Sequence, residues 1–134
     1  PVPAFWRNLR AGKPCVVART RRDMVYIGDA APLIARLVLG EGDPGVYHVA
    51  SGRSEPIRAV YDAVAAVLGN PAAPDEVEPG PDDVADLLLD PSGTEWAFGW
   101  RASTSLAAGV AIACAWYEEF GVAETYSHLR PVAA

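Results

Sequence analysis

The sequence has 134 residues, a formal net charge of −6, and a composition that is 51% hydrophobic and 21% charged. These values predict one globular domain over residues 1–134 and exclude a disordered chain. The acidic balance argues against nucleic acid as a partner, although one or two placed arginines can still bind a diphosphate. Arg7, Arg10 and Lys13 interrupt the first apolar stretch, and no apolar run is long enough to cross a bilayer. We therefore expect no signal peptide, no membrane partner and a cytoplasmic location.

The residue spacing predicts short helices and strands in a mixed order. The first half of the chain is predicted to form a helix ended by Gly12, strands over 15–18 and 24–27, and a helix capped by Asp29 with Pro32 in its first turn. A strand over 46–49 and a helix capped by Ser54, with Pro56 in its first turn, follow. The remaining predicted elements are an edge strand near Val77, a helix from about Ser92 to about Phe98, and a helix capped by Ser103 or Thr104. The predicted fold class is mixed α/β, with too few consecutive β–α units for a doubly wound sheet.

Motifs that carry chemistry by themselves are missing from the sequence. It contains no glycine-rich dinucleotide motif, P-loop, nucleophile elbow or His-Glu-x-x-His helix. His48 and His128 are the two histidines, and neither has a partner at ligand spacing, so we expect no metal site. Cys15 and Cys114 lie in predicted core segments and are expected to pack as small buried residues.

A cluster of three arginines, Arg19, Arg21 and Arg22, stands out in this acidic chain. It falls in a predicted tight turn between two strands, where guanidinium groups could converge on a phosphate. A solvated hairpin tip is the alternative, since most charge clusters lie on the surface. The residues alone leave both interpretations open.

Other polar and aromatic residues favour structural roles. His48 falls in a predicted strand, where a structural histidine is favoured over a catalytic one. The acidic residues Asp82, Asp83 and Asp86 follow a Pro/Gly-rich stretch and favour a solvated loop over a catalytic carboxylate pair. Three tryptophans on apolar stripes of predicted helices are expected in the core: Trp96, Trp100 and Trp116.

Several segments, in this order and spacing, resemble the extended short-chain dehydrogenase/reductase family of nucleotide-sugar epimerases, dehydratases and decarboxylases. They are a helix followed by Gly-Lys-Pro at 12–14, Arg-Asp-Met-Val-Tyr-Ile-Gly-Asp at 22–29, Gly-Val-Tyr-His-Val-Ala-Ser-Gly at 45–52, Leu-Asp-Pro-Ser at 89–92, Phe-Gly-Trp at 98–100 and Leu-Ala-Ala-Gly-Val at 106–110. The resemblance runs from about residue 2 to residue 120. It implies the C-terminal, substrate-binding lobe of such an enzyme, with the last elements of its Rossmann domain.

The resemblance implies a role for particular residues. Arg22 corresponds to the arginine that binds the diphosphate of the sugar nucleotide, and Val16 and Ala18 to positions that pack against the nucleobase. His48 takes the place of an asparagine near the nucleotide. Ala85 and Asp86 stand where many members carry a second phosphate-binding arginine. We therefore expect Arg19 or Arg21 to take over that duty.

The resemblance also implies NAD as the cofactor and a nucleotide diphosphate sugar as the ligand. NAD would be bound by an N-terminal Rossmann half, which these residues do not include. The family's tyrosine and lysine acid/base pair belongs to that half; here the only lysine is Lys13, and Leu9 stands four residues before it. We expect no catalytic and no cofactor-binding residue in this chain.

The implied partners are the N-terminal half and, in a homodimer, a second copy. Without the N-terminal half, Leu33, Ile34 and Leu37 would be exposed, so we expect this chain to be stable only with that half or in an oligomer. The parent reaction would begin by oxidation at C4 of the sugar and end in epimerisation, dehydration or decarboxylation. Two alternatives stay open: a non-catalytic nucleotide or sugar-phosphate binding module, and an assembly domain without a ligand.

Overall fold

The computed structural model describes residues 1–122, so His128 lies outside the described residues. The elements are α1 (Val2–Arg10), β1 (Val16–Ala18), β2 (Arg21–Asp23), α2 (Ile27–Val38), β3 (Ser54–Pro56), α3 (Ile57–Leu68), β4 (Asp75–Val77), β5 (Asp86–Leu87), α4 (Ser92–Phe98) and α5 (Leu106–Phe120). The predicted mixed α/β class is confirmed. In this part of the chain, no helix combines the length and the apolar character that a bilayer span requires.

Three helices, α1, α3 and α5, form the main core. Apolar side chains recur on one face of each helix and bury against one another. Tyr61 of α3 is 2% exposed and packs edge to face on Phe5, with ring centroids 5.6 Å apart. Its hydroxyl donates a hydrogen bond to the Ala72 carbonyl at 2.7 Å. Cys15 and Cys114 are buried in this core, as predicted.

The five short strands form two separate sheets. β1 pairs with β4 in parallel, while β2 lies between antiparallel β3 and parallel β5. The predicted arginine hairpin is therefore wrong, because β1 and β2 do not pair. The chain changes partners between them: the Arg19 N–H donates to Val77 O at 2.9 Å, and the Arg21 N–H donates to Ala85 O at 2.8 Å. The predicted edge strand near Val77 is confirmed as β4.

The segment after β2 differs from the prediction in two ways. Residues 24–26 form no strand, because α2 already begins at Ile27. Asp29 does not cap this helix; it lies inside the first turn, and its carboxylate is bound by the segment before α5. Pro32 consequently lies in the helix interior and not in its first turn, so its missing N–H removes one backbone hydrogen bond.

The segment before α3 also departs from the prediction. Residues 46–49 are irregular and form no strand. Ser54 belongs to β3 and caps no helix, since its backbone pairs with β2. α3 begins only at Ile57, directly after Pro56.

The beginning of α5 is set by three consecutive hydroxyl residues. Ser105 is the cap, and its hydroxyl oxygen accepts the Ala108 N–H at 3.2 Å. The predicted caps, Ser103 and Thr104, are occupied elsewhere: their N–H and hydroxyl groups donate to the Asp29 carboxylate at 2.8–3.1 Å. The Thr104 N–H makes the largest contribution to lowering the pKa of Asp29 below its ordinary value.

A second core joins α2 to α4. Leu33 is 0% exposed and packs with Phe98 and with Trp100, whose core prediction is confirmed. The predicted exposure of Leu33 is therefore wrong, because α4 and the segment after it cover this side of the helix. Ile34 is 47% exposed, and Leu37 is half-buried against the cluster.

Two other tryptophans lie on the surface. Trp96 is 90% exposed, because it points away from the side of α4 on which Thr94 and Phe98 are buried. Trp116 is 54% exposed and lies on the side of α5 opposite Cys114. The core prediction is wrong for both residues, because an apolar residue on a helix does not have to face the core.

Candidate phosphate-binding site

The central strand β2 brings the candidate site together. In the ladder, Arg21 lies opposite Pro56 of β3 and Asp86 of β5, and Arg22 lies opposite Glu55 and Leu87. Successive side chains of a strand leave on opposite faces. Arg21 and Arg22 therefore do not converge on one phosphate from β2.

On one face of β2, Arg21 is bound by neighbouring polar groups. Its Nε donates to Ser54 Oγ at 2.9 Å, and a second guanidinium nitrogen donates to the Ser54 carbonyl. Ser54 Oγ in turn donates to the Asp86 carboxylate at 2.6 Å, and that carboxylate lies 3.8 Å from Arg21 Nε. The acidic Asp86 is thus compensated by Arg21, and Arg21 has little free capacity for an anion.

On the opposite face, Arg22 is held without being neutralised. Its Nη1 donates to the Arg21 carbonyl at 2.7 Å and to the Val84 carbonyl at 2.6 Å. Within residues 1–122 no carboxylate forms an ion pair with it, and its Nε and Nη2 donate to no protein acceptor. The fork formed by Nε and Nη2 is the edge that binds a carboxylate or phosphate in a bidentate manner.

Arg19 directly follows β1 of the other sheet, and its side chain is paired with acidic residues. It donates to Glu76 at 3.2 Å and to Glu78 at 2.5 Å, and these bonds raise its pKa above the ordinary value. Arg58 contacts the same Glu76 and also Asp62. The hydrogen bonds from Arg58 and then from Arg19 lower the pKa of Glu76. An open cavity of about 320 Å³ beside this network is therefore lined by arginines whose charge is already compensated.

The predicted base-contact positions flank a fully buried residue of β1. Val16 is 42% exposed and Ala18 is 7% exposed, while Val17 between them is 1% exposed. Val16 thus presents apolar surface that a flat ring can cover. Ala18 contributes little accessible surface.

His48 lies in the irregular segment before β3 and is tied to the beginning of α4. Its Nδ1 is 3.1 Å from the Asp90 carbonyl, and its own carbonyl accepts the Thr94 hydroxyl at 2.8 Å. Because a carbonyl can only accept, Nδ1 carries the hydrogen, and Nε2 is left as the free ring nitrogen. The prediction that His48 lies in a strand is wrong, since its segment is irregular and its exposed imidazole is bound by a loop.

Asp23 is a polar residue of the site that the sequence analysis did not single out. Its carboxylate accepts the Ser51 N–H at 2.7 Å, the Ser51 hydroxyl at 2.7 Å and the Gly52 N–H at 2.9 Å. Gly52 has a φ of 68°, and a Cβ there would lie 3.3 Å from the Pro91 ring. Asp23 therefore fixes the turn before β3 against β2. The sequence features that could have indicated this role are the Arg22-Asp23 pair and, 28 residues after Asp23, the Ser51-Gly52 turn.

Metal chemistry has no visible site in this region. Within the described part of the chain, no three histidine, cysteine, aspartate or glutamate side chains are arranged to hold a metal ion.

Comparison with known proteins adds a clear relationship. No protein-family model matches the chain. The chain is similar to the Bordetella bronchiseptica enzyme WbmH, solved with NAD+, at 41% identity and a TM-score of 0.82, covering 91% of this chain and 41% of that chain. The enzyme WbmG of the same organism, solved with NAD and UDP, is 38% identical at a TM-score of 0.83, over 97% of this chain and 43% of that chain. The resemblance to NAD-dependent nucleotide-sugar epimerases and dehydratases is confirmed.

A named epimerase shows the same relationship at lower identity. UDP-glucose 4-epimerase of Thermus thermophilus, solved with NAD, is 27% identical at a TM-score of 0.76, over 89% of this chain and 40% of that chain. The chain thus spans about two fifths of the length of these three enzymes.

Proposed function

We propose that this chain is the sugar-nucleotide-binding portion of an NAD-dependent nucleotide-sugar epimerase, dehydratase or decarboxylase. One observation carries the proposal: Arg22 is oriented by two backbone carbonyls and has no carboxylate partner within residues 1–122. The similarity to WbmG, an enzyme solved with NAD and UDP, supports a nucleoside diphosphate as the ligand.

The geometry of Arg22 suits a diphosphate. Backbone carbonyls fix the direction of a guanidinium without cancelling its full charge, so the attraction for an anion is retained. The unused Nε and Nη2 edge can donate two parallel hydrogen bonds to one phosphate group. Arg22 therefore supplies both charge and orientation, which a surface arginine already bound to a carboxylate does not.

The other proposed substrate residues have different duties. We assign Val16 and Ala18 to the base, with most of the apolar contact from the more exposed Val16, and we assign His48, through its free Nε2, to the nucleotide. Arg19 and Arg21 support the local positive potential; their nearby carboxylates make them weak direct donors.

Catalysis in this proposal belongs to the N-terminal half of the enzyme. NAD supplies hydride transfer at C4 of the sugar when it is bound there. The 134 residues contain no tyrosine four positions before a lysine, so this chain binds and orients substrate and does not move the proton. We also propose a cytoplasmic homodimer in which that half covers the exposed apolar side chains toward the end of α2 and at its C-cap, Ile34, Val38 and Leu39.

The test is the affinity of the full-length protein for UDP, measured by titration calorimetry. Arg22→Ala should weaken binding by about 2 kcal/mol or more, because a charge-assisted bidentate contact is lost. Arg22→Lys should recover only part of the loss, since an ammonium cannot donate in a fork. Arg7→Ala is the matched control, because Arg7 is exposed on α1, a helix that packs against α3 and α5. Equal affinity of wild type and Arg22→Ala for UDP would refute the assignment of Arg22 to the diphosphate.

A further inference from the structure

No residue at the expected positions supplies a second phosphate-binding cation beside Arg22. Ala85 and Asp86 carry no positive charge, and Asp86 is bound to Ser54. Arg19 is paired with glutamates, and Arg21 leaves β2 on the face opposite Arg22. A diphosphate carries more negative charge than one arginine can balance.

Arg53 is in the correct place to fill this gap. It is exposed, immediately precedes β3, and within residues 1–122 its side chain forms no ion pair or hydrogen bond. Ser54 turns its hydroxyl to the Arg21 face, as its bond to Arg21 shows. Because side chains alternate along a strand, Glu55 belongs to the Arg22 face, and continuing the alternation one residue back from Ser54 places Arg53 on the same face.

The register brings the two arginines together. Arg22 pairs directly with Glu55, and Arg53 lies two residues before Glu55, immediately before the first residue of β3. Continued one residue beyond the end of the ladder, the diagonal spacing of about 7 Å brings both arginine side chains within reach of one diphosphate. Glu55 lies between them, and its carboxylate forms no ion pair with either arginine in the described part of the chain.

The position of Arg53 is fixed by the turn that contains it. Asp23 accepts the N–H groups of Ser51 and Gly52, and the Arg53 N–H donates to Ser51 Oγ at 3.2 Å. The backbone at Arg53 is thus tied to β2 next to Arg22. The side chain itself is left unbound.

We propose that Arg53 is the second phosphate-binding cation of this site and binds the diphosphate of a nucleotide sugar together with Arg22. This assignment rests on the proposed function. It makes Glu55 the group that limits affinity, since a carboxylate between two phosphate-binding arginines repels the incoming anion.

The experiment measures UDP and uridine binding to the full-length protein and to single variants by titration calorimetry. Arg53→Ala should weaken UDP binding about 10-fold, and Arg53→Lys should recover part of the loss. Neither change should alter uridine binding, because uridine has no phosphate. Glu55→Gln should strengthen UDP binding about threefold, the value expected for one charge about 7 Å away in water. Arg7→Ala serves as the control for general loss of charge.

The outcomes distinguish a failure of the Arg53 assignment from a failure of the proposed function. If Arg22→Ala loses affinity and Arg53→Ala stays within about twofold of wild type, the role of Arg53 is refuted and the proposed function stands. If wild type does not bind UDP, or Arg22→Ala binds it equally well, both fail. Thermal unfolding of each variant is recorded, and Arg53→Gln replaces the alanine variant if the latter is misfolded.

Discussion

The helical layer and the β3–β2–β5 sheet are held together in different ways. In the layer of α1, α3 and α5, apolar faces bury one another, and Tyr61 is almost completely enclosed. In the sheet, the strands are two or three residues long, and polar side chains such as Asp23 and Ser54 connect them. The helices supply stability, whereas the polar side chains of the sheet fix the turn before β3 and the strand that carries Arg22. Stability and binding should therefore respond to different substitutions.

The largest effect is expected in the helical layer. Tyr61→Ala should lower the free energy of unfolding by about 3–5 kcal/mol, because it leaves a cavity among buried side chains. Tyr61→Phe keeps the ring against Phe5 and loses only the hydrogen bond to Ala72, so it should cost about 1 kcal/mol. Urea denaturation measures both. A loss below about 1 kcal/mol for Tyr61→Ala would contradict the assignment of this helical core as the main source of stability.

A smaller effect on stability, but a specific one on binding, is expected at Asp23. Asp23→Ala leaves the Ser51 and Gly52 N–H groups without their acceptor and should cost about 1–3 kcal/mol of unfolding free energy. UDP affinity should fall with it, because the turn before β3 loses its attachment to β2. Asp23→Asn, which keeps one carbonyl acceptor, should fall between alanine and wild type. Reduced stability with unchanged UDP affinity would make Asp23 structural only.

The pH dependence of stability should show the bonds to Asp29. The pKa of Asp29 is lowered in the folded protein, chiefly by the Thr104 N–H, so the ionised form favours folding. Its contribution is present above the unfolded pKa, near pH 4, and is lost as the pH falls through the lower folded value. Between pH 7 and pH 3, wild type should lose more stability than Asp29→Asn in urea titrations. Parallel curves for the two proteins would count against this contribution.

The smallest effect is expected at the exposed tryptophan. Trp96→Ser should change the unfolding free energy by no more than about 0.5 kcal/mol, since the ring is 90% exposed. Trp100→Ala, by contrast, removes a ring that is 8% exposed and donates to the Asp29 carbonyl at 2.8 Å. Its cost should be about 3 kcal/mol or more. Similar values for both would mean that Trp96 makes a stabilising contact at the surface.

The contrast between the two regions also explains what the sequence could predict. Helical periodicity located α1, α3 and α5, because each has an apolar face that must be buried. The strand at 24–27 was wrong because β-rich composition does not reveal that Ile27 starts a helix. Strands of two or three residues give little pattern: β1 and β4 were anticipated, whereas β2, β3 and β5 were not, because their pairing is set by contacts distant in sequence.

The candidate site shows the same limit residue by residue. Resemblance to a family singled out Arg22 but could not show that Arg21 lies on the opposite face, because that depends on the register of β2 with β3. It also missed Asp23 and Arg53, whose roles follow from the turn at Ser51 and Gly52. Trp96 was misplaced since its environment depends on how α4 packs.

The most direct test of the central claim is an NMR titration of the arginine Nε–Hε signals of the full-length protein with UDP. We expect the Arg22 signal to shift strongly and saturably, because its free Nε edge binds the diphosphate, while the signal of the exposed control Arg7 does not move. An unmoved Arg22 signal at UDP concentrations that saturate the protein would contradict the assignment of this face of β2 as the diphosphate site.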